Sequence, residues 1–150
     1  MFEISDKSIE ERAYFKEFSN PRVGGVVTFE GRVRNHNEGK AVSSLEYEAY
    51  EVLAQKEGLK ILEEAKKKFD VVNAFCVHRV GHLYIGDMAV WVMACAEHRE
   101  MAFKACEYII NEVKDRVPIW KREHYVDGEK IWVRCDQCAK HGHSKAEVTL

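Results

Sequence analysis

Along residues 24–33, small and apolar side chains take every second position. Gly25, Val27, Phe29, Gly31 and Val33 alternate with Thr28, Glu30, Arg32 and Arg34. A period of two is that of a strand with one covered face. After a turn-rich stretch from Arg34 to Lys40 comes a second such strand, with Leu45, Tyr47 and Ala49 in alternation. The period then lengthens. Over about residues 51–69, Gly58, Ile61, Leu62, Ala65 and Phe69 make the apolar stripe of an amphipathic helix. Gly58 costs that helix roughly 1 kcal/mol relative to alanine, which the stripe must offset. Residues 71–80 and 88–96 are β-rich runs with a Gly86-Asp87 turn signal between them.

The longest helix is predicted over about residues 98–116, where Ala102, Ala105, Cys106, Ile109, Ile110, Val113 and Val117 recur at three- and four-residue steps. Pro118 stops it, because proline cannot continue a helix and turns Val117 toward extended angles. A strand to Val126, an Asp127-Gly128 hairpin turn and a return strand through Val133 follow. Near the N-terminus, residues 2–5 read as a short strand. Residues 8–18 read as a helix, with Ser8 and Glu11 at capping-box spacing and Asn20-Pro21 as its end. Paired strands separated by packed helices argue for an α+β fold. One domain over residues 1–150 is expected, with 134–150 as a variable, mobile tail.

Composition narrows the chemistry. At 150 residues, 46% hydrophobic and 32% charged, the chain has the material for a core of its own. A formal net charge of -2 argues against a general nucleic-acid or membrane-surface binder. An anionic ligand must then be met by a local cluster of cations. No apolar run approaches the ~18 residues of a membrane span. Met1-Phe2-Glu3-Ile4 lacks the basic-then-apolar layout of a secretion signal, so a cytoplasmic location is expected. Of five cysteines, Cys76, Cys95 and Cys106 lie in apolar segments, which fits reduced, buried thiols.

The cations are concentrated. Lys114, Arg116, Lys121 and Arg122 fall within nine residues across the Pro118 corner, and two lysines seven residues apart there can converge on one point. The alternative is a cationic helix terminus complementing the macrodipole, followed by an ordinary strand. Lys114 lies one turn after Ile110, at the margin of the apolar stripe, and so can emerge at a pocket edge. Arg32 and Arg34 share a strand face. His98-Arg99 opens the long helix, where an arginine works against the macrodipole and a bound anion would reconcile the two. Alternatively Arg99 is solvated, or paired with Glu97 or Glu100. The sequence holds no Gly-x-x-x-x-Gly-Lys-Ser/Thr loop, no Gly-x-Ser-x-Gly elbow and no His-Glu-x-x-His helix. The chain looks equipped to polarise an anion but not to attack it, so a partner or cosubstrate must bring the nucleophile. In the tail, Cys135-x-x-Cys138-x-x-His141-x-His143 offers ligands that zinc favours, though a tetrahedral site from so short a run would be strained. Metal binding, a mobile tail and a redox or interchain role all stay open there.

Three stretches together resemble the large, catalytic subunit family of molybdopterin synthase. They are Gly31-Arg32-Val33-Arg34-Asn35-His36-Asn37, Glu97-His98-Arg99, and Lys114-x-x-x-Pro118-x-Trp120-Lys121-Arg122-Glu123, with His78-Arg79-Val80-Gly81 and Gly86-Asp87 between them. The resemblance covers about residues 24–132. It implies an α/β-hammerhead fold and conversion of cyclic pyranopterin monophosphate into molybdopterin by installing two dithiolene sulfurs, with no cofactor required. The sulfur would arrive as a thiocarboxylate on the C-terminus of a small ubiquitin-like subunit. Two large subunits would form a central homodimer within a heterotetramer.

By the same resemblance, Lys114 and Lys121 match the catalytic lysines and Arg34 the loop arginine. His98 and Arg99 match a pair that completes the pocket from across the dimer. Phe29 matches an aromatic pocket residue, although strand parity sets it opposite Arg34 unless a bulge intervenes; plain core is the alternative. Ile110 falls where a relative carries methionine, Arg122 should point to the far face, and His36 reads as a loop hydrogen-bonder. Crowded cations would disfavour one another's charge and let a lysine trade protons, while Arg34, His98 and Arg99 hold phosphate. The competing function is a non-catalytic adaptor that docks a ubiquitin-like C-terminus.

Overall fold

The computed structural model describes residues 1–10, 14 and 20–134. In chain order its elements are β1 (Phe2–Ser5), β2 (Gly25–Arg32), β3 (His36–Asn37), β4 (Lys40–Ala49), α1 (Glu51–Phe69), β5 (Asn73–Arg79), β6 (Gly81–Tyr84), β7 (Met88–Ala96), α2 (Arg99–Arg116), β8 (Ile119–Tyr125) and β9 (Lys130–Arg134). They make two sheets. The first has order β1-β5-β7-β2, with β1 parallel to β5 and the other pairs antiparallel. The second has order β3-β4-β8-β9, and β6 also pairs with β4. This is an α+β architecture.

Every residue of β7 is buried, because both faces of its sheet are covered. Val90, Val92, Ala94 and Ala96 belong to the main core, to which α1 and α2 contribute Ile61, Leu62, Ala105 and Ile109. Trp91, Met93 and Cys95 face the other way, with Phe75 and Val77, under Ile9, Tyr14 and Val23. The Tyr14 ring stacks on Trp91 at 5.5 Å between centroids. Cys76, Cys95 and Cys106 are free and buried.

The apolar stripe of α1 is Ala54, Gly58, Ile61, Leu62 and Ala65. Its glycine has a packing reason: the Phe2 ring lies where a Cβ on Gly58 would be. Gly58→Ala is therefore expected to destabilise the fold by about 1–3 kcal/mol through overpacking, against the gain in helix propensity. A lower urea midpoint at unchanged slope would register it, and a raised midpoint would contradict it. Arg116 joins the two helices, reaching Glu57 at 2.5 Å, Glu64 at 2.6 Å and Glu112 at 2.9 Å. It clamps α2 to α1 through these carboxylates.

Three expectations change. Residues 34–40 are not only a loop: β3 and β4 form a tight hairpin through Glu38 (φ 47°) and Gly39 (φ 80°), the left-handed pair that a two-residue turn needs. Residues 81–84 add a strand whose one buried side chain is Leu83. Strand β2 is a half-covered edge, with Val26 and Phe29 exposed, because among the described residues it pairs with β7 alone. The expected helix over residues 8–18 falls largely outside the described residues, as do Cys135, Cys138, His141 and His143. Among the described residues, no helix is long and apolar enough to cross a membrane.

Candidate functional site

The register of β2 on β7 shifts between Gly31 (opposite Val90) and Arg32 (opposite Met88), skipping Ala89. Such an irregularity re-aims the side chains that follow it. The chain then leaves the ladder, held by Val33 N–H donating to Asp87 O at 3.0 Å and Gly86 N–H donating to Val33 O at 2.8 Å. Phe29 and Arg34 thus line one cleft despite their parity. The plain-core reading of Phe29 is corrected: its side chain is 40% exposed. Gly31 lets it lie there, since a Cβ would come within 2.6 Å of Val90 Cγ1 and 3.5 Å of the Phe29 ring.

That cleft, of about 290 Å³, takes Lys114 from the last turn of α2 and Lys121 from β8, along with Arg32, Arg34, His36, Asn37, Tyr47 and Glu123. The two lysines do converge. Pro118 makes this possible by ending the helix and starting a strand whose odd positions, Ile119, Lys121, Glu123 and Tyr125, all turn inward. Arg122 points to the far face, over the Trp132 ring at 4.8 Å and bonded to Glu46. Arg32 is engaged by Glu30 at 2.6 Å. Among the described residues neither Arg34 nor Lys114 is paired with a carboxylate. His36 bonds Asn35 Oδ1 through Nδ1 at 2.9 Å.

Glu123 is the residue that sequence reasoning missed. It is 1% exposed, and its Oε1 lies 2.7 Å from the Nζ of Lys121, itself 8% exposed. Asn37 Nδ2 donates to it at 3.0 and 3.1 Å, and the Tyr125 hydroxyl donates as well. Burial works to raise its pKa, but the bonds from Lys121 and Tyr125 outweigh that and hold the carboxyl below its ordinary value. Burial and that same bond push the Tyr125 phenol up to about 12. Lys121 therefore has a buried carboxylate beside it as well as the neighbouring cations. A glutamate on the inward face of a strand that otherwise reads Ile-x-Lys-x-Glu-x-Tyr was the available signal.

Beneath the cleft, His78 meets the Tyr47 ring edge-on at 5.1 Å. Its Nδ1 lies 2.8 Å from Arg79 O, and since a carbonyl only accepts, Nδ1 carries the proton. Burial first, and the Lys114 charge second, depress its pKa to about 3, so the ring is neutral. Burial likewise pushes the Cys76 thiol up to about 12, and those of Cys95 and Cys106 to about 11. None of these thiols is a ready nucleophile.

His98 and Arg99 stand apart from this cleft. His98 is the N-cap of α2 and both residues are exposed. At 1.5 Å per helical residue, Arg99 starts roughly 23 Å from Lys114 along the axis. The neighbouring acids do not neutralise Arg99: Glu97 pairs with Arg22 at 2.7 Å and Glu100 with Lys104 at 2.7 Å.

A family model described as MoaE protein matches residues 4–116. A molybdopterin synthase catalytic subunit from Thermoplasma volcanium is 39% identical over 130 residues, covering 87% of this chain and 95% of that one. The crystal structure of molybdopterin synthase from Staphylococcus aureus superposes with a TM-score of 0.83 at 38% identity, covering 88% of this chain and 96% of that one. The Helicobacter pylori protein–protein complex of subunits 1 and 2 of molybdopterin-converting factor contributes a chain with a TM-score of 0.73, covering 89% and 90%, and at 23% identity bears on the fold alone. The match spans most of the chain, so the chain belongs to the MoaE protein family, the catalytic subunits of molybdopterin synthase in molybdenum cofactor biosynthesis.

Proposed function

We propose that the chain transfers sulfur from the C-terminal thiocarboxylate of a small ubiquitin-like subunit to cyclic pyranopterin monophosphate, building the dithiolene of molybdopterin. The observation that carries this reading is the convergence of Lys114 and Lys121, from separate elements, with Arg34 on one cleft. Substrate phosphate and thiocarboxylate are both anionic, and such a cleft concentrates the charge an almost neutral chain otherwise lacks. The raised thiol pKa values support a nucleophile brought from outside.

In this reading the partner's sulfur attacks a substrate carbon, and Lys121 gives a proton to the oxygen that leaves, with Glu123 holding the ammonium in place. Lys114 and Arg34 anchor the anions, and Phe29 and Tyr47 give the pterin an apolar wall. Water then releases the partner's C-terminus as carboxylate. Mixing the chain with thiocarboxylated small subunit and precursor tests this. Dithiolene product is expected only with all three present; a chain that binds the small subunit yet gives no product would favour the adaptor.

His98 and Arg99 lie too far along α2 to reach their own cleft, so in this proposal they serve the cleft of a second copy. Lys121→Ala and Arg99→Ala chains, each nearly inactive alone, are then expected to recover activity on mixing, toward about one quarter of the wild-type sites in randomly mixed dimers. No recovery under conditions where the chains exchange would remove the in-trans role.

A further inference from the structure

We propose that Glu46, His82 and His124 form a binding site for a divalent transition-metal ion of the zinc type, on the face of the second sheet that turns away from the cleft. The three side chains come from adjacent strands. Glu46 of β4 is opposite His82 of β6 on one side and Arg122 of β8 on the other, and His124 lies two residues further along β8, on the same face. One ligand atom from each lies within 4.8 Å of the others. His124 Nε2 is already 3.4 Å from Glu46 Oε2. Two ligands on a tetrahedral zinc at 2.0–2.1 Å are about 3.3 Å apart, so the carboxylate and the His124 ring already stand near ligand spacing, and side-chain rotations that bring Glu46 Oε1 and the exposed His82 onto the ion close the rest.

The donor set and its surroundings fit one class of ion. Two imidazoles and a carboxylate suit zinc, copper or nickel, and are poor ligands for magnesium or calcium. Both Arg122 bonds fall on Glu46 Oε2, which leaves Oε1 free among the described residues. Arg122 thereby holds the carboxylate from behind, as outer partners of metal ligands do.

The ion would act as a clip. Strand β6 buries only Leu83, yet the turn after it holds the arginine segment of the cleft through Gly86 N–H to Val33 O and Arg32 Nη1 to Gly86 O at 3.0 Å. Joining β6 to β8 across β4 stiffens the sheet whose other face carries Tyr47 and Lys121.

The test uses the full chain with Cys135→Ser, Cys138→Ser, His141→Ala and His143→Ala, so that the tail offers no competing ligands. Titration with Co(II) and Zn(II) is expected to show one saturable equivalent in the micromolar range, a low-coordinate Co(II) visible spectrum and a raised Tm. Mg(II) and Ca(II) are expected to do none of this. Adding His124→Ala or His82→Gln is expected to abolish the spectrum and the Tm rise, and Arg122→Ala to weaken binding about 10–100-fold. The His82 change, at an exposed position, keeps the test open if a more buried variant fails to fold. No saturable Co(II) binding, or binding indifferent to His82 and His124, would overturn the site and leave Glu46 and His124 as an ordinary hydrogen-bonded contact.

Discussion

Lys121→Ala is expected to lower kcat for dithiolene formation by about 10²–10⁴-fold, the range that a positioned proton donor supplies. Partner binding should hold, because the change removes one side chain from the cleft floor and leaves the strand's backbone pairing intact. Glu123 would keep Asn37 and Tyr125 as donors, so the carboxylate is not left bare. Single-turnover kinetics on thiocarboxylated partner, beside circular dichroism of the variant, separate a chemical defect from a folding one. Lys121→Arg discriminates further: it keeps the charge, but a guanidinium does not give up its proton, so activity should stay low. A folded Lys121→Ala chain with wild-type turnover would take the lysine out of the mechanism.

Acid is expected to unfold this chain through His78. Its folded pKa is about 3, against about 6.5 for an unfolded histidine. Below pH 6.5 the unfolded chain takes up a proton that the folded chain refuses. The stability this represents is fully present above pH 6.5 and is lost as pH falls toward 3, on the order of 5 kcal/mol in all. The ring is held neutral by burial among Tyr47, Cys76 and the core, with the Lys114 ammonium adding to the effect. Glu123 acts in the same direction at lower pH, where its depressed carboxyl finally protonates and the pair with Lys121 is lost. Urea unfolding measured from pH 7 to pH 4 should show the midpoint falling steadily, with a shallower slope against pH in His78→Gln. A midpoint independent of pH over that range would contradict the assignment.

What the sequence disclosed and what it withheld follow from range. Helix α1 and strand β7 begin and end where the periodicity said, and α2 within one residue, because long apolar stripes and Pro118 act locally. The approach of Lys114 to Lys121 was legible for the same reason: a helix stop and a strand parity are both local facts. The course of residues 29–34 was not. It depends on the skipped Ala89 of a strand nearly sixty residues away, so alternation alone put Phe29 and Arg34 on opposite faces. Strand β6 escaped notice because four residues with one buried side chain carry no period. Glu123 was hidden by its type, since a glutamate on an inward position is costly until Asn37, Lys121 and Tyr125 surround it. Gly58 read as a flaw in a helix and proved to be the seat of Phe2.

The most direct measurement is a crystal structure of this chain with cyclic pyranopterin monophosphate bound. The ligand is expected between Phe29 and Tyr47, with phosphate or ring oxygens about 3 Å from Lys114, Lys121 and Arg34, and with His98 and Arg99 of a second copy closing the open side. A ligand seated elsewhere, with both lysine ammonium groups left to water, would contradict the account.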